Sequence, residues 1–97
     1  MPLTNAQIKY LRGRCHGLSP VVTVAANGLS DTVWAEIETA LDHHELIKVK
    51  LRDERTQRRE WVEEIGRRSG AELVQTIGQV ACFYRPNREK RVIELPR

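Results

Sequence analysis

Val21-Val22-Thr23-Val24-Ala25-Ala26-Asn27-Gly28-Leu29-Ser30 carries three structural signals in one short stretch. Val21 to Val24 is an unbroken run of apolar or β-branched residues, which reads as a short strand covered on both sides. Asn27-Gly28 is a tight-turn pair, and Ser30 is a helix N-cap placed just before an apolar-periodic segment. A strand that feeds a helix through such a turn aims backbone N–H groups and the positive end of a helix dipole at one exposed spot. Such a spot suits anions, and phosphate above all.

Working outward, the helix predicted from the Ser30 cap runs to about His44. Leu29 and Trp34 have the spacing of a hydrophobic staple, and Val33, Ile37, Ala40 and Leu41 form the buried stripe. Leu46 to Leu51 then alternates. Ile47, Val49 and Leu51 face a core, while Leu46, Lys48 and Lys50 point to the other side. A further helix is predicted from Thr56 to Ser69, with Trp61, Val62 and Ile65 inward and Gly70 as terminator. Leu73 to Ile77 and Val80 to Tyr84 read as strands, and Gly78-Gln79 between them suits a type II′ hairpin. Towards the N-terminus, Thr4-Asn5-Ala6-Gln7 fits a capping box and Leu3 with Ile8 a staple. The helix they open buries Ile8, Leu11 and Cys15, and Gly17 and Pro20 end it. After Tyr84 comes a charged loop, and Val92 to Leu95 either adds an edge strand or lies against the body.

The order α-β-α-β-α-β-β predicts a single α/β (α+β) domain over residues 1–97, with residues 85–97 as a basic C-terminal segment. Its core is a four-stranded mixed sheet with three helices. Right-handed crossovers put the second and third helices on one side of the sheet, and the opposite face then shows Lys48 and Lys50 to solvent unless the first helix covers part of it.

Chain length and composition, 97 residues with 40% hydrophobic and 30% charged, suit one globular core. No apolar run approaches a membrane span and no secretory leader is visible, so the expected location is the cytoplasm. Cys15 and Cys82 lack CxxC partners and read as buried free thiols of a reducing compartment, a single disulfide being the alternative. His43-His44-Glu45 is neither HExxH nor a ligand pair at helical spacing, so no metal site is expected. Cys15 and His16 are sequence neighbours that point apart on a helix, which removes a Cys/His nucleophile. There is no nucleophile elbow, Walker lysine or dinucleotide fingerprint. The expectation is a protein that is not an enzyme, with no cofactor and no small-molecule substrate.

The net charge of +3 is less telling than its distribution. Residues 1–30 hold Lys9, Arg12 and Arg14 and no acid, while Asp31, Glu36, Glu38, Asp42 and Glu45 occupy residues 31–45 without a base. Such segregation implies one basic and one acidic face. In the third helix, arginines and glutamates interleave as on a solvated surface. Lys9, Arg12, Arg14, Lys48 and Lys50 have no such partners nearby and are the candidate RNA contacts. Arg85 joins them from the basic tail, and Ala25, Ala26, Asn27, Gly28 and Ser30 join them from the turn. Sparse aromatics argue against base stacking on a sheet and for recognition through phosphates and shape. The competing expectation is a protein-docking module that uses the acidic helix 30–44.

Several motifs in order now resemble one family. They are Leu18-Ser19-Pro20-Val21-Val22 leading to Asn27-Gly28-Leu29-Ser30, then Glu36-Ile37-Glu38 with Leu41, and His43-His44-Glu45-Leu46-Ile47-Lys48-Val49-Lys50. Gly70-Ala71, Val74-Gln75-Thr76-Ile77-Gly78 and Tyr84-Arg85-Pro86 follow. The chain resembles the CRM domain (chloroplast RNA splicing and ribosome maturation) in its stand-alone bacterial, YhbY-like form. The resemblance implies a fold like the C-terminal domain of bacterial translation initiation factor three. It also implies binding of structured RNA, namely large-subunit ribosomal RNA or its precursor particles during ribosome assembly. The family's RNA-contacting GxxG loop corresponds to Ala25-Ala26-Asn27-Gly28. Ala25 stands at the first glycine and Ala26 where a basic residue is often found. The Ala25 methyl restricts φ and holds a phosphate further from the backbone.

Overall fold

The computed structural model describes residues 3–96. Its elements are α1 (Asn5–His16), β1 (Val22–Val24), α2 (Asp31–His44), β2 (Leu46–Leu51), α3 (Arg55–Ser69), β3 (Glu72–Ile77) and β4 (Val80–Tyr84). Each helix starts or stops where its local chemistry requires. Thr4 Oγ1 accepts from Gln7 N at 3.1 Å while Gln7 Oε1 accepts from Thr4 N at 3.0 Å, a complete capping box. Ser30 Oγ accepts from Val33 N at the head of α2. Gly70, at φ 74°, closes α3 in the left-handed conformation that glycine adopts without penalty.

The sheet order is β1-β2-β4-β3. β1 and β2 are parallel, with Val24 opposite Leu51, and β4 lies antiparallel between β2 and β3. The C-terminal ends of β1, β2 and β3 therefore share one end of the sheet. Val22, Val24, Ile47, Val49, Leu51, Ala81 and Phe83 pack under Ile37 and Leu41 of α2 and Trp61 and Ile65 of α3. The other face carries a smaller core in which Leu11 and Cys15 of α1 meet Leu46, Val74, Cys82, Tyr84 and Ile93. Helices α2 and α3 share one face, as the crossover rule predicts, and α1 covers part of the other.

Three details differ from the sequence expectations, and a fourth, residues 92–95, takes the second of the two placements expected for it. β1 is covered on one side only: Val22 and Val24 are buried but Thr23 is exposed, because α1 does not extend over it. Residues 92–95 form no strand, and Ile93 is buried against the α1 side of the sheet. Cys15 and Cys82 do not stay separate thiols. Docking of α1 brings their Cα atoms to 6.7 Å, within disulfide range, and the structure joins them. The last concerns Glu45, which is fully buried with φ 62° and not part of an acidic surface. Its carboxylate accepts from Asn87 N at 2.5 Å, Val92 N at 2.9 Å and Ile93 N at 2.6 Å, strapping the C-terminal segment to the body.

Candidate nucleic-acid interface

The turn after β1 is closed by Gly28 N donating to Ala25 O at 2.8 Å. Ala25, Ala26 and Asn27 are exposed, and Gly28 is half-buried at φ 62°. A Cβ on Gly28 would lie 3.7 Å from Trp61 Nε1 and 4.0 Å from Trp61 Cζ2. The turn thus rests on the edge of an α3 indole, and the positive φ favours glycine there independently. Ser30 does sit at the head of α2, but its Oγ already accepts from Val33 N, and Asp31 places a carboxylate in the first turn. That carboxylate competes with any anion for the helix dipole. The electropositive part of this site therefore has to come from side chains.

Parallel pairing places two lysines on the α1 face of the sheet and one arginine next to the turn. Lys50 stands opposite Thr23, the next-to-last residue of β1, and Lys48 lies two residues further back on the same strand face. Both are half-buried by the neighbouring chain. Lys48 lines a hollow of about 170 Å³ with His16, the last residue of α1, and with Cys15, Gln75, Ile77, Val80 and Cys82. Arg52 is not among the residues that the sequence pattern singles out. Its backbone N donates to Val24 O at 2.8 Å, so it begins directly beside the turn, and it is exposed. Parallel direction alone does not place it there; the register that sets Leu51 opposite Val24 does, and the sequence does not display that register.

The cations of α1 divide between its flanks. Lys9 is exposed. Arg12 Nε donates to the carbonyl of Val74 at 3.2 Å, where a bulge takes that residue out of the β3–β4 pairing. Arg14 donates to the Tyr10 hydroxyl and lies 5.9 Å from its ring centroid. These three surround α1 but are not gathered at the turn. Arg85 is placed elsewhere altogether. It follows Tyr84, which pairs with Leu46, at the opposite end of β2 from Leu51. There it donates to Glu38 at 2.7 Å, Asp42 at 3.0 Å and Ser69 O at 3.0 Å. Its charge is neutralised, so it does not join the cradle expected from the sequence.

Among the described residues, the ion pairs are Arg68–Glu64, Arg85–Glu38 and Arg85–Asp42. Lys48, Lys50 and Arg52 consequently keep their charge for an external partner. The acidic stretch is correspondingly depleted. Glu38 and Asp42 face Arg85, and Glu45 is interior, which leaves Asp31 and Glu36. No group of His, Cys, Asp or Glu side chains able to hold a metal occurs among the described residues.

Comparison with known proteins adds a family and several relatives. The family model of the CRS1 / YhbY (CRM) domain matches residues 3–85. A protein of Haemophilus influenzae named as an RNA-binding protein is 46% identical over 96 residues, covering 98% of this chain and 96% of that one. A probable RNA-binding protein of Pseudomonas aeruginosa is 49% identical over 88 residues, with 90% and 85% covered. One from Bacillus subtilis, also named a probable RNA-binding protein, is 36% identical over 95 residues, with 97% and 99% covered. The solution structure of a Staphylococcus aureus protein, described as a candidate RNA-binding protein, superposes with a TM-score of 0.81 at 32% identity. It covers 98% of this chain and 100% of its own.

Proposed function

The chain belongs to the CRS1 / YhbY (CRM) domain family, and from that premise we propose that it binds structured RNA without catalysis. The RNA is large-subunit ribosomal RNA or its precursor, met in the cytoplasm during ribosome assembly. One observation carries the reading: the parallel register of β1 and β2 sets Arg52 beside the exposed tight turn and lines up Lys50 and Lys48 along β1 behind it, none of the three ion-paired among the described residues. The names of the relatives support RNA as the partner. The backbone of the turn and these cations meet phosphates, while selectivity comes from the shape of the RNA. The protein-docking alternative loses support because three of the five carboxylates in residues 31–45 are used internally.

Salt titration tests the mechanism. With about four phosphates neutralised, affinity for a folded large-subunit rRNA fragment falls by about two orders of magnitude between roughly 50 and 200 mM salt. Reversing charge at Lys48 and Lys50 together weakens binding and flattens that slope. A salt-independent affinity, or an unaltered Lys48→Glu/Lys50→Glu protein, would remove the proposed interface. Crosslinking in cells followed by sequencing of the bound RNA tests the choice of rRNA. Recovery of unrelated transcripts would refute it.

A further inference from the structure

We infer that the indole N–H of Trp61 is a direct hydrogen-bond donor to the RNA phosphate held at the 25–28 turn. The inference rests on the RNA-binding reading above and extends it to an α3 residue whose spacing alone reads as core packing.

The argument begins with what the turn lacks. Gly28 N–H is committed to Ala25 O, and Ala25 and Ala26 add neither glycine's close backbone approach nor a cationic side chain. Trp61 lies directly beneath, its Nε1 edge nearest the place where a Gly28 side chain would begin. An indole N–H can only donate, and a buried one ordinarily has a partner. Among the described residues, the one buried side-chain nitrogen or oxygen without a partner is the Tyr84 hydroxyl. No side-chain hydrogen bond within the described protein uses Trp61 Nε1, so that N–H is not sealed inside. The edge that carries it lies against the turn, 3.7 Å from where a Gly28 side chain would begin, and the residue keeps 8% of its surface exposed.

The rest of the ring rules out another role in binding. Trp61 is only 8% exposed and packs in the core with Ile37 and Ile65, so its face offers no platform for a base. The other tryptophan, Trp34, is covered by the Arg68 guanidinium, 4.1 Å from its ring. What Trp61 presents is one directional donor held by a rigid helix. A phosphate oxygen is the acceptor that suits it, since a hydrogen bond to a charged group exceeds one to a neutral group. The absence of a side chain at Gly28 leaves that approach open.

Two measurements on the full chain decide the matter, using the same rRNA fragment as probe. Trp61→Phe keeps an aromatic ring and removes the donor. Affinity is expected to fall about tenfold while the salt slope stays as in the parent, because a neutral donor displaces no counterion. In the unmutated protein, the Trp61 indole resonance in a ¹H–¹⁵N spectrum is identified by its persistence in Trp34→Phe. It should move downfield and exchange more slowly with water when the RNA is added. Unchanged affinity of a folded Trp61→Phe protein, a loss accompanied by a shallower slope, or an unmoved resonance in RNA-bound protein would each overturn the inference and leave the interface standing. If Trp61→Phe does not fold, the resonance decides alone. Failure of the RNA reading shows itself differently, as salt-insensitive binding by the unmutated protein.

Discussion

Two arginines show why a charge read from sequence does not by itself predict a contact. Arg52 begins beside the turn, without an ion-pair partner among the described residues, whereas Arg85 is held by two carboxylates and a carbonyl. Arg52→Glu is expected to weaken RNA binding and to lower the salt slope by about one phosphate's worth, read by titration at several ionic strengths. Arg85→Gln should leave RNA affinity as it was and destabilise the fold by about 1 kcal/mol, since both ion pairs are partly exposed; denaturant unfolding measures this. Tyr84 poses a different question. Its hydroxyl is buried without a partner, and burial raises its pKa above 10.0, with Glu45 adding to the rise and Arg91 opposing it. The folded state thus favours the neutral phenol. Its contribution to stability is intact below pH 10 and is lost as pH climbs through the raised value. Tyr84→Phe should gain about 1 kcal/mol at neutral pH by removing the unsatisfied hydroxyl. It should also lose less stability than the parent above pH 10, followed by thermal unfolding across alkaline pH.

Among the elements, those with a local signal were legible. The capping box at Thr4, the Ser30 cap, the Gly70 stop and the alternation of Leu46 to Leu51 each specify their geometry within a few residues, and the structure keeps all four. What escaped was decided by packing between distant segments. Thr23 is exposed because α1 stops short of β1, and Val74 bulges out of the ladder where Arg12 meets its carbonyl. The turn was readable as a turn, but the contribution of α3 to it was not, since Trp61 reaches Gly28 only after both helices dock. Glu45 is the clearest case. In sequence it is one more acid after two histidines, yet the left-handed backbone at the end of α2 turns its carboxylate onto three backbone N–H groups of the C-terminal segment. Glu45→Ala should therefore cost about 3 kcal/mol and detach that segment. Amide exchange at Asn87, Val92 and Ile93 is expected to speed up while exchange in β2 and β4 stays slow. Equal acceleration throughout the sheet would mean that the carboxylate supports the core as a whole and not the strap.

At the scale of the whole molecule, the sheet separates two tasks. One face and the helices α2 and α3 form the larger core, and the other face is closed by α1, which has just two buried residues, Leu11 and Cys15, together with Ile93 of the C-terminal segment. A helix with so narrow a buried stripe gains little from packing, so the covalent link from Cys15 to Cys82 matters disproportionately. The bond spans 67 residues, and closing a loop of that length in the unfolded chain is worth roughly 4 kcal/mol on the chain-entropy model. Reduction should thus lower the melting temperature by upwards of about 15 °C in a domain of this size. Cys15→Ser/Cys82→Ser should reproduce the reduced protein and show no further response to reductant. Lys48 shares a hollow with both cysteines, yet Lys50 and Arg52 are placed by strand pairing. RNA affinity measured well below the melting transition should accordingly change little on reduction. Calorimetry with and without reductant, paired with RNA titration at the same temperature, separates the two effects. A fall in affinity without a fall in melting temperature would mean that α1 and its cations, and not the strand ends, hold the RNA.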